Sequence, residues 1–442
     1  MSRLEKYPKY KDSGVEWLGE IPEGWDVKKL KFLGKIYAGL TDKKGNDFSK
    51  EKEKSFEPFI PFTNIFNNVV INDDELQYVR IKKNEYQNIV QKGDILFLMS
   101  SETLEDIGKT ALYNSNTKVF LNSFCKGFNV KQETINSYFL NWLLQSNGYR
   151  TYFSIVGRGF TRINIKQDYV NNLLTILPPK QEQTKIANYL DKKTAQIDNS
   201  ISLKEQMIKR LKERRQILIN DAVTKGLDKN VKMKDSRVEW LGEIPKHWEV
   251  LPGFRVFAEN KTKNTGMIME QVLSLSYGKI VIKPKEKLTG LVPESFETYQ
   301  IVKPGDIIIR CMDLQNDQTS LRTGIARNNG IITSAYLNLN VIDDFNSEYL
   351  HYYLHVLDIT KVLYKFGTGL RQNLSYWDFK RLPILVPSQE EQKEIVRFIE
   401  TQIRKIDSSI MLQQKQIEKL KEYKTILIDE VVTGKIKVCD VK

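Results

Sequence analysis

Cysteine and histidine are scarce in this sequence, with three of each among 442 residues. Cys125, Cys311 and Cys439 lie far apart and form no Cys-x-x-Cys pair, which argues against both a disulfide framework and a zinc site. His351 and His355 have the spacing of a metal pair on one helix face, but the first module has Asn141 and Gln145 at the equivalent positions, which favours a pair on the helix surface. We therefore expect no metal in this chain.

The sequence also lacks any run of eighteen apolar residues, although hydrophobic residues make up 40% of it. The N-terminal segment from Met1 to Lys6 has no apolar stretch that could serve as a signal peptide. We therefore expect a cytoplasmic protein that does not span a membrane.

Motifs for nucleotide chemistry are absent as well. Gly108-Lys109-Thr110 is similar to the end of a P-loop, but the glycine needed five positions earlier is Thr103. No Gly-x-Gly-x-x-Gly opens a helix after a strand, and no Asn-Pro-Pro-aromatic motif of the type used by amino-methyltransferases occurs. These absences favour a binding protein over an enzyme.

Positive charge is what the sequence has in excess. It contains 68 Lys and Arg residues against 55 Asp and Glu residues, which gives a net charge of +13 and a pI of about 9.2. This balance suits a polyanionic partner such as nucleic acid. Charge alone is weak evidence, because many basic proteins bind no nucleic acid.

An internal repeat is the strongest feature of the sequence. Asp12-Ser-Gly-Val-Glu-Trp-Leu-Gly-Glu-Ile-Pro-Glu-Gly-Trp25 returns as Asp235-Ser-Arg-Val-Glu-Trp-Leu-Gly-Glu-Ile-Pro-Lys-His-Trp248. Chance does not produce such a match. The chain is therefore two copies of one module joined head to tail, and the first copy contains no histidine, so the copies cannot share a His-based catalytic site.

Further motifs keep the same order in both copies. Gly93-Asp94-Ile-Leu is matched by Gly305-Asp306-Ile-Ile, and Gly157-Arg-Gly-Phe-Thr-Arg162-Ile-Asn164 by Gly367-Thr-Gly-Leu-Arg371-Gln-Asn373. The offset between the copies falls from 223 at the Trp motif to 209 at the end of the module. The interior of the first copy is therefore 14 residues longer, and the copies diverge between their matched ends.

Each module begins with a globular part that mixes short strands and helices. Runs of β-branched and apolar residues predict strands at 95–99, 119–121, 307–309 and 331–333, and helices are predicted at 138–144 and 349–354. This pattern indicates the α+β class. We expect Trp17, Trp25, Trp240 and Trp248 to anchor the N-terminal arm of each module to its core.

Each module ends in one long helix, because residues 181–225 and 388–433 contain neither glycine nor proline. Apolar residues recur along both at steps of three, four and seven, which define a coiled-coil seam. The seam residues are Ile186, Leu190, Ile197, Ile201, Ile208, Leu211, Leu218 and Ala222 in the first helix, and Ile395, Ile399, Ile406, Ile410, Ile417, Leu420, Leu427 and Val431 in the second. The two identical seams predict that the helices pair with each other in antiparallel orientation.

Polar residues interrupt the seam at equivalent positions, Lys204 with Gln413 and Arg215 with Lys424. They either fix the register or bind a partner, or they are solvated residues on a frayed seam. The predicted segments are a globular domain in 1–178, a helix in 179–225, a linker in 226–234, a second globular domain in 235–386, and a second helix with a tail in 387–442. The architecture is thus a pseudo-two-fold duplication in which the long helices separate the globular domains.

The best candidate for DNA contact is the glycine-bracketed segment, which begins with Gly157-Arg-Gly159 in the first copy and with Gly367-Thr-Gly369 in the second. Arg reads guanine, Asn and Gln read adenine, and glycine lets the backbone approach a phosphate. Its candidate residues are Arg158, Thr161, Arg162 and Asn164 in the first copy, and Thr368, Arg371, Gln372 and Asn373 in the second. The alternative is that Arg162 and Arg371 only tie this loop to its own domain or to the helix pair. Loops that contain Ser100, Ser101 and Arg310 are second candidates, although an ordinary surface loop is the favoured interpretation for them.

In combination, these motifs resemble one known family over the whole chain. Pro179-Lys-Gln-Glu182-Gln183-Thr-Lys-Ile186 and Pro387-Ser-Gln-Glu-Glu391-Gln392-Lys-Glu-Ile395 begin the long helices, and Trp-Leu-Gly-x-Ile-Pro-x-x-Trp opens each half. The chain is thereby similar to the specificity subunits of type I restriction-modification systems. The second copy has one extra residue after Pro387, which is a small departure from the pattern.

The resemblance implies that each globular domain is a target recognition domain that reads one half of a bipartite, asymmetric DNA site. The long helices would then act as a spacer and dock two adenine-methylating modification subunits, which restriction subunits with translocase and nuclease activity join. S-adenosylmethionine, ATP and magnesium would belong to those partners, and this chain would be non-catalytic. The alternative function is a coiled-coil scaffold whose globular domains bind protein or RNA.

Overall fold

The computed structural model of the protein describes residues 5–284, 295–312, 314, 321–366 and 373–438. The chain forms two compact units. The first compact unit comprises Met1–Lys204 and Lys415–Lys442, and the second comprises Glu205–Gln414. Each unit therefore holds one globular part and a segment of each long helix. Within the described ranges, no helix is both long enough and apolar enough to cross a membrane.

A four-stranded antiparallel sheet forms the centre of the first compact unit. Its strand order is Thr110–Leu112, Ile95–Leu98, Cys125–Val130 and Gly34–Ala38. All residues of Ile95–Leu98 are buried because the strand has a neighbour on each side and a hydrophobic cluster on each face. Ile95 and Phe97 face one cluster while Leu96 and Leu98 face the other, as the two-residue period of a strand requires.

A second sheet of the first compact unit has the order Phe120–Leu121, Phe56–Ile60, Gln77–Arg80 and Phe48–Ser49. Its pairs are antiparallel except the first, which is parallel. Three two-stranded pairs complete the unit: Tyr10–Asp12 with Glu20–Pro22, Asp26–Lys29 with Leu174–Leu177, and Ser100–Ser101 with Ile163–Asn164. Its shorter helices are Phe62–Asn67, Ser137–Gln145, Asn147–Val156 and Gln167–Asn171, with 3-10 turns at Leu30–Phe32, Gly45–Asp47 and Asp73–Glu75.

The second compact unit repeats the central sheet with the same connectivity. Its order is Thr323–Ile325, Ile307–Ile309, Leu337–Val341 and Phe257–Glu259. Its two-stranded pairs are Met233–Asp235 with Glu243–Pro245, Glu249–Pro252 with Pro383–Val386, Leu273–Ser276 with Lys279–Ile282, and Gln300–Val302 with Gly330–Ile332. Its shorter helices are Ser347–Ile359 and Tyr376–Phe379, with 3-10 turns at Gly253–Arg255, Thr265–Met267 and Val362–Phe366.

These elements confirm the predicted α+β class and the predicted duplication. Strands occur at Ile95–Leu98, Phe120–Leu121, Ile307–Ile309 and Gly330–Ile332, and helices occur at Ser137–Gln145 and Ser347–Ile359, where the patterns predicted them. Among the described residues, the units differ outside the central sheet, because the mixed second sheet of the first unit corresponds to separate two-stranded pairs in the second. The divergence lies in the interiors of the modules, as the sequence offset indicated.

The two glycine-free segments are single helices, Lys180–Lys225 (the first long helix) and Gln389–Val432 (the second long helix). All of the predicted seam residues are buried or half-buried. Within the first compact unit, Ile186, Leu190 and Ile197 share a hydrophobic cluster with Leu427 and Val431. The seam is therefore used to join the two helices.

Polar contacts show that the helices run antiparallel. In the first compact unit, Asp198 pairs with Lys424 and Lys204 donates to Gln416, so residue numbers rise along one helix as they fall along the other. In the second compact unit, Arg215 pairs with Asp407 at 2.9 Å. Because Lys204, Arg215 and Lys424 all make contacts across the helix pair, they support the register interpretation of the polar seam positions.

The Trp motif and the start of each long helix form one structural connection. In the first compact unit, the buried indole of Trp25 donates from Nε1 to Oε2 of Glu182 at 3.1 Å. In the second, the indole of Trp248 donates to Oε1 of Glu391 at 3.0 Å. The predicted anchoring role is confirmed for Trp25 and Trp248, and in each module the Trp motif is bonded to the start of the long helix.

The glutamine after each of these glutamates is buried and binds backbone groups of two other elements. Gln183 accepts from the N–H of Asn136 at 2.7 Å and donates to the carbonyl of Pro178 at 2.8 Å. Gln392 makes the same pair of bonds to Asn346 and Pro387, at 2.9 Å each. A buried backbone amide without a partner is costly, so this glutamine fixes the long helix to the shorter helix that begins at Asn136 or Asn346.

Candidate nucleic-acid interface

The glycine-bracketed segment of the first module is an exposed β-hairpin. The N–H of Arg158 donates to the carbonyl of Asn164 at 3.1 Å, and the N–H of Asn164 donates to the carbonyl of Arg158 at 2.8 Å. The side chains of Arg158, Thr161, Arg162 and Asn164 are all exposed, and Phe160 between them is fully exposed. All four candidate residues of the first module therefore lie on one surface element, which we call the 158–164 hairpin.

The shape of this hairpin depends on Gly159. Its φ of +148° is a conformation that L side chains rarely adopt, and a Cβ atom at this position would lie 1.8 Å from the carbonyl oxygen of Arg162. Arg158 donates from its guanidinium to the carbonyl of Ile155, and to that of Gly157 at 2.8 Å. The side chain of Arg158 thus partly anchors the hairpin to the helix before it, whereas Arg162 lies beyond the glycine.

The two candidate segments of the first module pair with each other. Ser100–Ser101 is a two-residue strand that pairs antiparallel with Ile163–Asn164, so Ser100 lies opposite Asn164. Both serines are buried, so the segment predicted as a loop is a strand and the exposed loop begins only at Glu102. The segment is a strand because the 158–164 hairpin pairs with it just after the strand Ile95–Leu98.

A cleft of about 450 Å³ lies at this junction. It is lined by Phe62, Phe66, Ser100, Ser101, Glu102, Thr103, Asp106, Asn122, Phe124 and Arg162. The guanidinium of Arg162 lies over the ring of Phe124 at 4.7 Å from its centroid, and the ammonium of Lys109 lies over the ring of Phe66 at 4.0 Å. Cation–π contact with these rings holds the two cations beside the cleft.

The acidic residues of the cleft differ in their surroundings. Asp106 accepts from Thr103 and pairs with Lys109 at 2.7 Å. Burial alone would raise the pKa of Asp106, but hydrogen bonds from Lys109 and Thr103 lower it below its usual value, so this carboxylate stays charged. Glu102 is exposed, and a carboxylate in such a place can accept from the amino group of a base but repels a phosphate.

The arrangement suits contact with the edges of nucleic-acid bases. Arg162 offers the planar pair of donors that matches guanine or phosphate, and Asn122 and Asn164 offer the amide that matches adenine. The exposed rings of Phe66 and Phe124 can stack on bases or sugars.

In the second module, the corresponding segment is described only from Asn373 onward. Asn373 is exposed, and the N–H of the next residue, Leu374, donates to the carbonyl of Cys311 at 2.9 Å. Ile165 donates in the same way to Met99 at 3.0 Å in the first module. Asn373 thus has the position of Asn164, whereas Thr368, Arg371 and Gln372 lie outside the described residues.

Arg310, the other candidate of the second module, is half-buried. Its carbonyl accepts from the buried guanidinium of Arg322, which also donates to the carbonyl of Met312 at 2.7 Å. Arg322 further donates to the hydroxyl of Tyr364 at 2.9 Å. A buried arginine therefore supports the loop that carries Arg310 and leaves Met312 exposed.

Sequence reasoning missed the aromatic part of the cleft. Phe62, Phe66 and Phe124 come from segments that are distant in sequence from the hairpin, so no local pattern connects them with it. Asn122 accepts at Oδ1 from the N–H of Phe124 at 2.9 Å, which is the turn that an Asn two residues before an exposed aromatic can form. That turn was the one local feature that could have indicated Phe124.

The comparisons with known proteins agree with this structure. The family model described as the type I restriction modification DNA specificity domain matches residues 22–213 and 256–422. The chain is 28% identical over 443 residues to the putative type I restriction enzyme MjaX specificity subunit of Methanocaldococcus jannaschii, with 95% of this chain and 96% of that protein covered. It is also 29% identical over 232 residues to the EcoKI specificity subunit of Escherichia coli K12, with 52% of this chain and 47% of that protein covered.

Two solved structures share the fold. A chain from work on complex assembly and conformational transition of the type I R-M system has a TM-score of 0.70 at 14% identity, with 93% of this chain and 98% of that chain covered. The HsdS subunit of Thermoanaerobacter tengcongensis has a TM-score of 0.54 at 15% identity, with 94% and 98% covered. The family match spans both modules, so the resemblance inferred from the motifs is confirmed, and the chain belongs to the family of type I restriction-modification DNA specificity domains.

Proposed function

We propose that this chain is the DNA-recognition subunit of a type I restriction-modification complex and that each module reads one half of a bipartite site. The observation that carries this proposal is the 158–164 hairpin with its cleft, where exposed Arg and Asn side chains lie beside exposed rings. Asn373 has the position of Asn164 in the second module, which supports a second reading surface built on the same plan. Two reading surfaces in one chain suit two half-sites along one duplex.

The two half-sites differ in sequence under this proposal. The central sheet and the helix connections are alike in both compact units, whereas the elements beside the central sheet differ. The repeated parts therefore give the architecture, and the divergent interiors give each module its own bases. An asymmetric target follows from this division.

The outward faces of the long helices are the proposed sites for two modification subunits. The seam residues pack between the two long helices, so a modification subunit would contact side chains outside the seam. Two exposed apolar positions recur in both helices, Leu203 with Leu412 and Ile217 with Ile426. Each compact unit presents one Leu and one Ile of this set, which supports two equivalent docking sites for two copies of the same partner.

The chemistry of the complex belongs to its partners under this proposal. The modification subunits bind S-adenosylmethionine and methylate adenine, and restriction subunits use ATP and magnesium for translocation and cleavage. This chain is non-catalytic and supplies the choice of sequence. Its residues position DNA for subunits that carry out the reactions.

The decisive experiment compares genome-wide methyladenine patterns of the host with and without the gene. We expect one bipartite motif to lose methylation on deletion and to regain it when the gene is restored. A gene in which the globular part of the second module is replaced by that of a relative should restore methylation at a motif with one half-site changed. The scaffold alternative predicts that no motif disappears, and that outcome would refute the proposal.

A further inference from the structure

Phe160 is a fully exposed aromatic residue of the candidate interface. We propose that its side chain is a wedge that inserts between stacked bases of the DNA duplex. This inference rests on the proposed DNA-reading function and specifies one contact within it. A single exposed apolar side chain is ordinary on a protein surface. The place of Phe160 on its hairpin is what distinguishes it.

Phe160 lies at the tip of the 158–164 hairpin with its ring fully exposed. The backbone bonds between Arg158 and Asn164 close the hairpin below it. The pairing of Ile163–Asn164 with Ser100–Ser101 then fixes the hairpin to the chain leaving the central sheet. The ring is therefore presented on a supported element, which is what insertion into a stack of bases requires.

The charges around this tip suit a polyanion. Arg158, Arg162 and Lys166 are exposed on or directly after the hairpin. Cations on both sides of an apolar tip can bind the phosphates of two strands while the ring lies between them. Proteins that insert an apolar side chain at a base step unstack the bases and bend the duplex.

The repeat provides an independent observation. The second copy has Leu370 after its second bracketing glycine, at the position of Phe160 in the first copy. Phe and Leu are both side chains that proteins use as wedges between bases. A large apolar residue between the second bracketing glycine and an arginine is therefore a feature that both segments share in sequence.

The test uses the full chain in complex with its modification subunits and the duplex motif identified by the methylation experiment. 2-Aminopurine replaces one base at a time through each half-site, because its fluorescence rises when neighbouring bases unstack. We expect the wild-type complex to raise the fluorescence at one step. Phe160→Ala should abolish that rise and weaken binding roughly tenfold or more, whereas Phe160→Leu should retain most of both.

Tyr86→Ala is the matched control, since Tyr86 is a largely exposed aromatic residue of the same compact unit outside the hairpin. If Phe160→Ala has the same fluorescence and the same DNA affinity as Tyr86→Ala, the wedge proposal is wrong. A wild-type complex that binds its motif without any fluorescence rise also overturns it and leaves the reading function intact. A wild-type complex that binds the motif no better than a scrambled duplex refutes the reading function itself.

Discussion

Arg215 and Asp407 form an ion pair between the two long helices within the second compact unit, with 2.9 Å between Nη1 and Oδ1. Lys424 and Asp198 form the equivalent pair within the first compact unit at 2.7 Å. Each residue lies 209 positions from its counterpart, so the duplication has kept both partners of the pair. A charge pair that is repeated in this way specifies the register of an antiparallel seam whose apolar residues alone could slip.

Reversal of one charge in this pair tests that role. Asp407→Lys places a cation opposite Arg215 and should lower the free energy of unfolding by about 1 kcal/mol, because both side chains are partly exposed. Arg215→Asp combined with Asp407→Lys should restore most of the loss. Urea unfolding of the full chain measures both variants, with Ser408→Lys at an exposed neighbouring position as the control. A double variant no more stable than Asp407→Lys would contradict the assignment.

Loss of the bond between Trp248 and Glu391 should lower the free energy of unfolding by more than loss of the ion pair between Arg215 and Asp407. Glu391→Leu removes both acceptor oxygens and leaves the buried indole N–H without its partner, so we expect a loss of about 1–3 kcal/mol. Glu182→Leu should cost a similar amount, since it removes the equivalent bond from Trp25. Glu390→Leu changes an exposed neighbour and should leave thermal unfolding nearly unchanged. Equal unfolding temperatures for Glu390→Leu and Glu391→Leu are incompatible with the connection that we describe.

The parts of the fold that could be predicted from sequence are those with a local pattern. The long helices follow from the absence of glycine and proline and from the seam, which extends over many turns. The strand Ile95–Leu98 follows from its apolar run. The connection of Trp25 to Glu182 could not be predicted in this way, because the two residues are 157 positions apart and only the fold brings them together.

The candidate interface was predicted only in part for the same reason. Arg162 and Asn164 share a hairpin with bracketing glycines, which the sequence displays. The rings of Phe66 and Phe124 reach the same cleft through the folding of distant segments. Ser100 was expected in a loop and lies in a strand, since a two-residue pairing with the hairpin leaves no periodic pattern.

The proposed docking of two modification subunits predicts that one of the two docking sites can be removed without the other. Ile217→Asp combined with Leu412→Asp places charges at both repeated apolar positions of the second compact unit. We expect native mass spectrometry to detect one bound modification subunit instead of two. Met411→Asp is the control, because Met411 is exposed on the same helix but corresponds to Ser202 in the first copy. Two bound subunits in the double variant would place the docking surface elsewhere.

Substitution of Arg162 should show whether this side chain contacts a phosphate or a base. Arg162→Ala is expected to weaken binding by about 1–3 kcal/mol in fluorescence anisotropy with the motif duplex. If Arg162 binds a phosphate, the slope of log affinity against log salt falls by about one and the methylated motif is unchanged. If Arg162 reads guanine, the motif relaxes at one position. Unchanged affinity and an unchanged motif would remove Arg162 from the interface.

Gly159 provides the test of the hairpin itself. Gly159→Ala forces a Cβ atom against the carbonyl of Arg162, and the strain of about 1–3 kcal/mol should displace the hairpin from its bound shape. Because the hairpin is exposed, thermal unfolding should change little, while affinity for the motif duplex falls. Gly45→Ala is the matched control, since Gly45 has no atom within 4 Å of a new Cβ and no positive φ. A Gly159→Ala protein with wild-type affinity would mean that DNA contact does not depend on the shape of this hairpin.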